Sequence, residues 1–304
     1  QFLGLKVILH PMKFLILGAS GLVGGNCLKY FTEQGHDVLG THFSFETEHT
    51  QFFNTLDLDD ENNADVDGFA PDIIVHCGAL TWVDYCEENE EESYQKTVQS
   101  TLNAIEISKK HNAKLVYLST DYVFDGKKGL YAEVDDVNPL GVYAKHKLAS
   151  EQAIQASGVE HLICRITNVY GDEIRGKNFV SRLSENMRKG EAMELKLPSD
   201  QYATPVNAWD VARAILKLVA ANKSGIYHFA ATDYLNRIEL AEQVIGYFGH
   251  EQVSLIPVTT EQLNQLAPRP LLGGMNASKF NAEFPDFRWS NVDDYLKKLK
   301  KRYE

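Results

Sequence analysis

Lys13-Phe-Leu-Ile-Leu-Gly-Ala-Ser-Gly-Leu-Val-Gly24 decides the fold of this chain. The apolar run up to Leu17 has strand character and closes on Gly18. From Leu22 an amphipathic helical period continues to Gln34 and stops at Gly35. Between them, glycines at 18, 21 and 24 let the backbone turn tightly at the helix N-terminus. There, exposed N–H groups and the helix dipole favour an anion such as a pyrophosphate. Such spacing is weak alone; between a strand and a helix it becomes a strong sign of nucleotide binding. Close helix–sheet packing is the plainer account of the same glycines.

Outward from this unit, strand and helix patterns alternate. Strands are predicted at Asp37–Thr41, Asn54–Leu58, Ile73–Cys77, Lys114–Ser119 and His161–Ile166. Helices are predicted up to about His111 and from Gly141 to Ser157. Ile73–Cys77 is apolar throughout, as expected of a strand covered on both faces. The rhythm implies an α/β chain with a doubly wound parallel sheet over residues 12–170. Beyond Gly171 the rhythm breaks into short helices, proline-bearing loops and a strand near Ile226–Phe229. Residues 171–304 are therefore expected to form mainly a second, smaller lobe.

Composition narrows the function. The chain has 304 residues, 44% hydrophobic and 24% charged, and a formal net charge of −12. That acidity argues against nucleic acid and anionic membrane as partners, yet leaves room for an anionic small ligand held by a few local donors. Cys27, Cys77, Cys86 and Cys164 stand apart with no CxxC pair, the usage of buried free thiols in a reducing compartment. No apolar run approaches the roughly 20 residues of a membrane span. Gln1–Pro11 lacks a cleavage pattern and is expected to be an extension or a misplaced start, not a targeting signal, which places the protein in the cytoplasm. Glu87 to Glu92 is expected to be a solvated first helical turn, not a metal patch. Lys297–Arg302 has the character of a cationic helix end.

Cofactor preference rests on the end of the second strand. Gly40-Thr-His-Phe-Ser44 offers no carboxylate for a ribose 2′-hydroxyl. Thr41, His42 and Ser44 are the candidate donors to a 2′-phosphate, although no arginine is near them in sequence. NADP(H) is favoured and NAD(H) left open. Asp57 and Leu58 are candidates to flank the adenine, or simply solvated strand-end residues.

The chemistry lies further on. Tyr143 and Lys147 stand four residues apart, on one face of a helix. A phenol is a poor acid–base group until a neighbouring cation favours its anion. Thr120, after Ser119 at a strand end, can bind the same oxygen as Tyr143. A lone Tyr-xxx-Lys is commonplace surface chemistry; beside the glycine turn and Thr120 it is not.

Together these motifs resemble the extended short-chain dehydrogenase/reductase superfamily. Ser119-Thr-Asp-Tyr-Val-Phe-Asp-Gly126, Asn138-Pro-Leu-Gly-Val-Tyr143, Lys147-Leu-Ala-Ser-Glu151, Arg165-Ile-Thr-Asn-Val-Tyr-Gly171, Asn178-Phe-Val180 and Pro268-Arg-Pro270 resemble the dTDP-4-dehydrorhamnose reductase family. The likeness spans about Met12 to Tyr303. It implies a Rossmann fold with a C-terminal substrate-binding lobe, and reduction of a nucleotide-linked 4-keto-6-deoxy sugar by NAD(P)H. It implies Tyr143 as proton donor, Thr120 on the carbonyl oxygen, and Lys147 lowering the Tyr143 pKa while binding the nicotinamide ribose. Ser20, Leu22, Val23, Cys77, Gly78 and Ala79 join Gly18, Gly21 and Gly24 as expected cofactor contacts. Asp121, Tyr122, Asn168, Asn178 and Arg269 are the expected substrate contacts, Arg269 on the diphosphate.

Two positions depart from that family. Thr97 stands where many members carry an asparagine that supports the lysine, and Thr167-Asn168 stands where Ser-Trp is frequent. Other outcomes stay open: an epimerase or dehydratase of the superfamily, or a regulatory subunit like that of methionine adenosyltransferase. The Asp121-Tyr122 pair lacks the Glu that dehydratases place after the threonine. A homodimer is also left open.

Overall fold

Each residue of the first strand alternates between two cores, and that alternation sets the layers. In a computed structural model describing residues 11–249 and 253–304, β1 (Lys13–Leu17) sends Phe14 and Ile16 to one face and Leu15 and Leu17 to the other, all four fully buried. The extension expected at Gln1–Pro11 lies, up to residue 10, outside the described residues.

The remaining strands are β2 (Asp37–His42), β3 (Gln51–Phe52), β4 (Ile73–His76), β5 (Lys114–Thr120), β6 (His161–Ile166), β7 (Met193–Pro198), β8 (Tyr202–Ala203), β9 (Gly225–His228), β10 (Leu235–Asn236) and β11 (Val253–Val258). Seven of them form one sheet in the order β3-β2-β1-β4-β5-β6-β9, with every pair parallel. The chain winds outward from β1 to β3, then crosses to β4 and winds the other way. The carboxyl ends of β1 and β4 are therefore the switch point where an open α/β sheet leaves a crevice.

Helices Leu22–Glu33 and Ala208–Ala220 belong to the first face, where Val23, Cys27, Val211 and Ile215 join Phe14 and Ile16. Helices Ser100–His111 and Val142–Ala156 cover the second, where Ala104, Ile105 and Ile154 join Leu15 and Leu17. A further core belongs to the C-terminal lobe: Val180, Leu183, Leu240, Val244, Val292 and Leu296 pack helices Phe179–Arg188, Arg237–Phe248 and Val292–Tyr303 together. The parallel pair β7–β11 lines its side.

Three expectations change. The third strand is Gln51–Phe52, and Asn54–Leu58 is a turn instead. Asn54 Oδ1 accepts from Leu56 N–H, and Asp57 Oδ1 from Asp59 N–H; such side-chain bonds compete with a ladder. The helix ending at His111 is broken into Val83–Glu88, Glu90–Tyr94, a π-helical stretch Gln95–Gln99, and Ser100–His111. At the π stretch the Thr97 carbonyl accepts hydroxyls from Ser100, Thr101 and Ser150, which disturbs the regular ladder. Finally, the strand expected in the small lobe near Ile226–Phe229 is β9, the seventh strand of the large sheet.

Candidate active site

The switch-point crevice is a cleft of about 900 Å³ running from the glycine turn to the C-terminal lobe. Gly18 adopts φ +86°, which an L side chain rarely takes. At Gly24 a Cβ would lie 2.3 Å from the Gly18 carbonyl oxygen, so only glycine lets this helix sit on the turn. Helix Leu22–Glu33 starts at Gly21 with no side-chain cap, leaving its first N–H groups free for a ligand. Gly18, Gly21, Leu22, Val23, Gly24, Cys77 and Ala79 all line the cleft, and the Gly78 backbone backs the turn at Gly18. Ser119 Oγ, buried without a partner among the described residues, belongs to the same wall. These residues fit a dinucleotide: uncapped donors for its pyrophosphate and close-packed backbone below it.

Thr120, Tyr143 and Lys147 line the same cleft. Thr120 ends β5, where its Oγ1 accepts from Tyr122 N–H at 3.2 Å and starts a 3-10 turn. Burial pushes the Tyr143 phenol well above its ordinary pKa, opposed by the Thr120 hydroxyl and reinforced by Tyr122 and Asp121. Lys147 Nζ donates to the Leu118 carbonyl at 2.5 Å and lies 4.0 Å from the centre of the Tyr117 ring. Burial lowers Lys147 to about 7, against the pull of Glu151. The pKa of Tyr143 is thus raised, where the sequence leads us to expect Lys147 to lower it: burial dominates, and the group that opposes it is the Thr120 hydroxyl, not the Lys147 ammonium. A neutral phenol suits a proton donor.

Behind this triad is a polar nest that the sequence signalled only through Thr97. His76 Nδ1, Thr97 Oγ1 and the Tyr117 hydroxyl are buried with no partner among the described residues. Burial drops His76 to about 3, so its ring is neutral. Glu87, in the acidic run, is not merely solvated: its Oε2 accepts from Val142 N–H at 2.9 Å and caps the helix carrying Tyr143.

Also lining the cleft, Asp121 is buried beside Thr120 and its Oδ2 accepts from Gly274 N–H at 3.1 Å. Burial raises its pKa to about 6, with the Gly274 N–H and the Thr167 and Thr120 hydroxyls opposing. Tyr122 stands edge-on to Tyr143 at 6.0 Å. Asn168, at φ +41°, accepts from Arg237 Nη2 at 2.7 Å. Arg237 lines the cleft with Arg175, Lys177 and Arg182. Asn178 reaches the cleft wall, but its side chain caps helix Phe179–Arg188 and holds the Gly171 carbonyl.

Several expected contacts stand elsewhere. Thr41 Oγ1 donates to the Ile16 carbonyl and His42 Nδ1 bonds Thr50 Oγ1, so both side chains point into the protein. Ser20 borders a neighbouring groove on the outer side of helix Leu22–Glu33. Ser44, Asp57 and Leu58 are exposed and do not line the cleft. Arg269 Nη2 pairs with Asp84 at 2.9 Å and its Nη1 donates to the Ala267 carbonyl, which occupies the guanidinium expected on a diphosphate. Among the described residues no group of His, Cys, Asp and Glu is arranged to hold a metal, and no helix is long and apolar enough to cross a membrane. All four cysteines are free thiols.

Known proteins resemble this chain in sequence and in fold. A reductase of low-salt glycan biosynthesis in Haloferax volcanii, named as probable, is 28% identical over 90% of this chain and 92% of its own. Methionine adenosyltransferase 2 subunit beta of Xenopus laevis is 30% identical over 90% of this chain and 83% of its own. The crystal structure of a dTDP-4-dehydrorhamnose reductase from Bacillus anthracis in complex with NADP superimposes with a TM-score of 0.83 at 25% identity, covering 96% of this chain and 99% of that one. Residues 12–301 match the model of the RmlD substrate binding domain family. By fold, by cleft and by sequence, the chain belongs to that family.

Proposed function

We propose that this protein is an NAD(P)H-dependent reductase of the 4-keto group of a nucleotide-linked 6-deoxy sugar, with NADP(H) favoured and Tyr143 as proton donor. The observation that carries this is that Thr120, Tyr143 and Lys147 line one cleft together with an uncapped helix N-terminus. The reduced nicotinamide, when bound, supplies the hydride that reaches the ketone carbon. Negative charge then grows on the ketone oxygen. Thr120 holds that oxygen by its hydroxyl, and the Tyr143 phenol, neutral because it is desolvated, gives it a proton. Lys147, fixed by the Leu118 carbonyl, stabilises the phenolate left behind. The C=O becomes CH–OH, and Tyr143 is reprotonated from solvent. The relatives named as reductases support this chemistry, as does the missing Glu after Asp121.

The test is turnover. A panel of dTDP- and UDP-linked 4-keto-6-deoxy sugars, with NADPH or NADH, should show loss of reduced-cofactor absorbance with at least one. No turnover of any of them, together with a stable complex with methionine adenosyltransferase, would replace this reading by the regulatory one that the Xenopus laevis relative favours. Tightly held NAD⁺ with no net redox change would point instead to an epimerase. A cytoplasmic, homodimeric enzyme of deoxysugar synthesis is the setting this reading expects, and sedimentation would test the dimer.

A further inference from the structure

We infer that Arg175 is the cofactor-specificity residue of this enzyme: brought from the C-terminal lobe onto Phe45, just after the end of β2, it binds the 2′-phosphate of NADP(H). The inference rests on the proposed dinucleotide site. In this fold the strand after the glycine turn ends beside the adenosine ribose, so whatever lies there chooses between a hydroxyl and a phosphate. The local donors are spent, since Thr41 bonds Ile16 and His42 bonds Thr50. No arginine lies near them in sequence. Arg175, 130 residues beyond Phe45 (175 minus 45), supplies one: its guanidinium carbon is 5.1 Å from the centre of the Phe45 ring.

Three features fit a phosphate receptor. Arg175 lines the same cleft as Gly18 and Gly21. It forms no ion pair among the described residues, whereas Arg269, Arg165 and Arg302 each have a carboxylate. Its loop is also braced: Glu173 accepts from the N–H groups of Lys177 and Asn178, and Asn26 Nδ2 donates to the Asp172 carbonyl. An arginine stacked on an aromatic face keeps its planar fork free for bidentate pairing with phosphate oxygens.

Binding tests this apart from turnover. The full-length protein and Arg175→Gln are titrated with NADPH and NADH by nicotinamide fluorescence, and with 2′,5′-ADP and 5′-AMP as competitors. Arg175→Gln should lose about 10- to 100-fold in affinity for NADPH and 2′,5′-ADP, with NADH and 5′-AMP held within about 3-fold. Arg175→Lys should recover part of that loss, and its preference should weaken with salt. Equal weakening for NADPH and NADH, or no weakening of either, would overturn the assignment. Wild-type protein that binds no nicotinamide nucleotide would overturn the proposed function itself, a separate outcome read before any variant is made.

Discussion

Glu87 caps the helix that carries Tyr143, accepting from Val142 one residue before the phenol, across 55 positions of sequence. The acceptor is a side-chain carboxylate on a partly exposed helix end, and the donor is one of the N–H groups that every helix start leaves over. Glu87→Ala should therefore cost about 0.5–2 kcal/mol of stability. Turnover should fall further than cofactor affinity, because the first turn carries the phenol. Glu87→Gln retains an acceptor and should recover most of the loss. Thermal melts beside single-turnover rates decide it.

Tyr143→Phe removes the proposed proton donor and little else. A loss of about 100- to 10,000-fold in ketone reduction is expected, with unchanged folding and NADPH binding. A variant that kept most of its rate would show that the proton comes from another group.

Lys147 makes a pH prediction. Its pKa is lowered to about 7, so the ammonium is present below that pH and lost above it. Tyr143 is raised, so it contributes no descending limb in the same range. The kcat/KM of reduction should fall above about pH 7, as phenolate loses its stabilising cation. A profile flat to about pH 9 would assign the cation elsewhere.

Asp121 makes the opposite kind. Its folded pKa is raised from 3.8 to about 6 because burial disfavours the carboxylate. The contribution to stability is complete below the unfolded pKa and disappears as pH rises through about 6. The loss between those limits is about 3 kcal/mol. Asp121→Asn keeps an acceptor for Gly274 N–H without the charge. It should match the wild type below about pH 4 and melt higher at pH 7, in a calorimetric pH series.

Gly24→Ala tests the glycine turn. The new Cβ would meet the Gly18 carbonyl oxygen at 2.3 Å, and that atom is backbone. Overpacking of this kind costs about 1–3 kcal/mol or more, and here it displaces the turn itself. NADPH affinity should fall with stability, whereas Gly246→Ala, where a Cβ meets nothing within 4 Å, should leave affinity alone.

What the sequence made legible was local. The strand–glycine–helix unit at Lys13–Glu33 and the Tyr143–Lys147 spacing each lie within one or two elements, so periodicity and spacing reveal them. The donors Thr41 and His42 were identified by type, but which way a strand-end side chain turns depends on partners such as Ile16 and Thr50. Arg269 was placed on a ligand because no local signal shows that Asp84 already holds it. Arg175 and Phe45 are joined only by the folded chain, as are Glu87 and Val142. Asn54–Leu58 failed for a different reason: asparagine and aspartate side chains bond their own backbone, which an apolar count does not see.

The return of β9 to the large sheet bears on how the chain can be cut. β9 pairs with β6 from Leu162 to Arg165, and helix Ala208–Ala220 covers the face that Phe14 and Phe31 fill. A fragment ending at Tyr170 would keep every glycine of the turn and the whole triad, yet bare a sheet edge and an apolar face. Such a fragment should aggregate, with its unpaired edge as the template. Mixed with residues 171–304, it should recover as a complemented pair. The two lobes are regions of one interlaced chain, and neither is a module that could be transplanted alone.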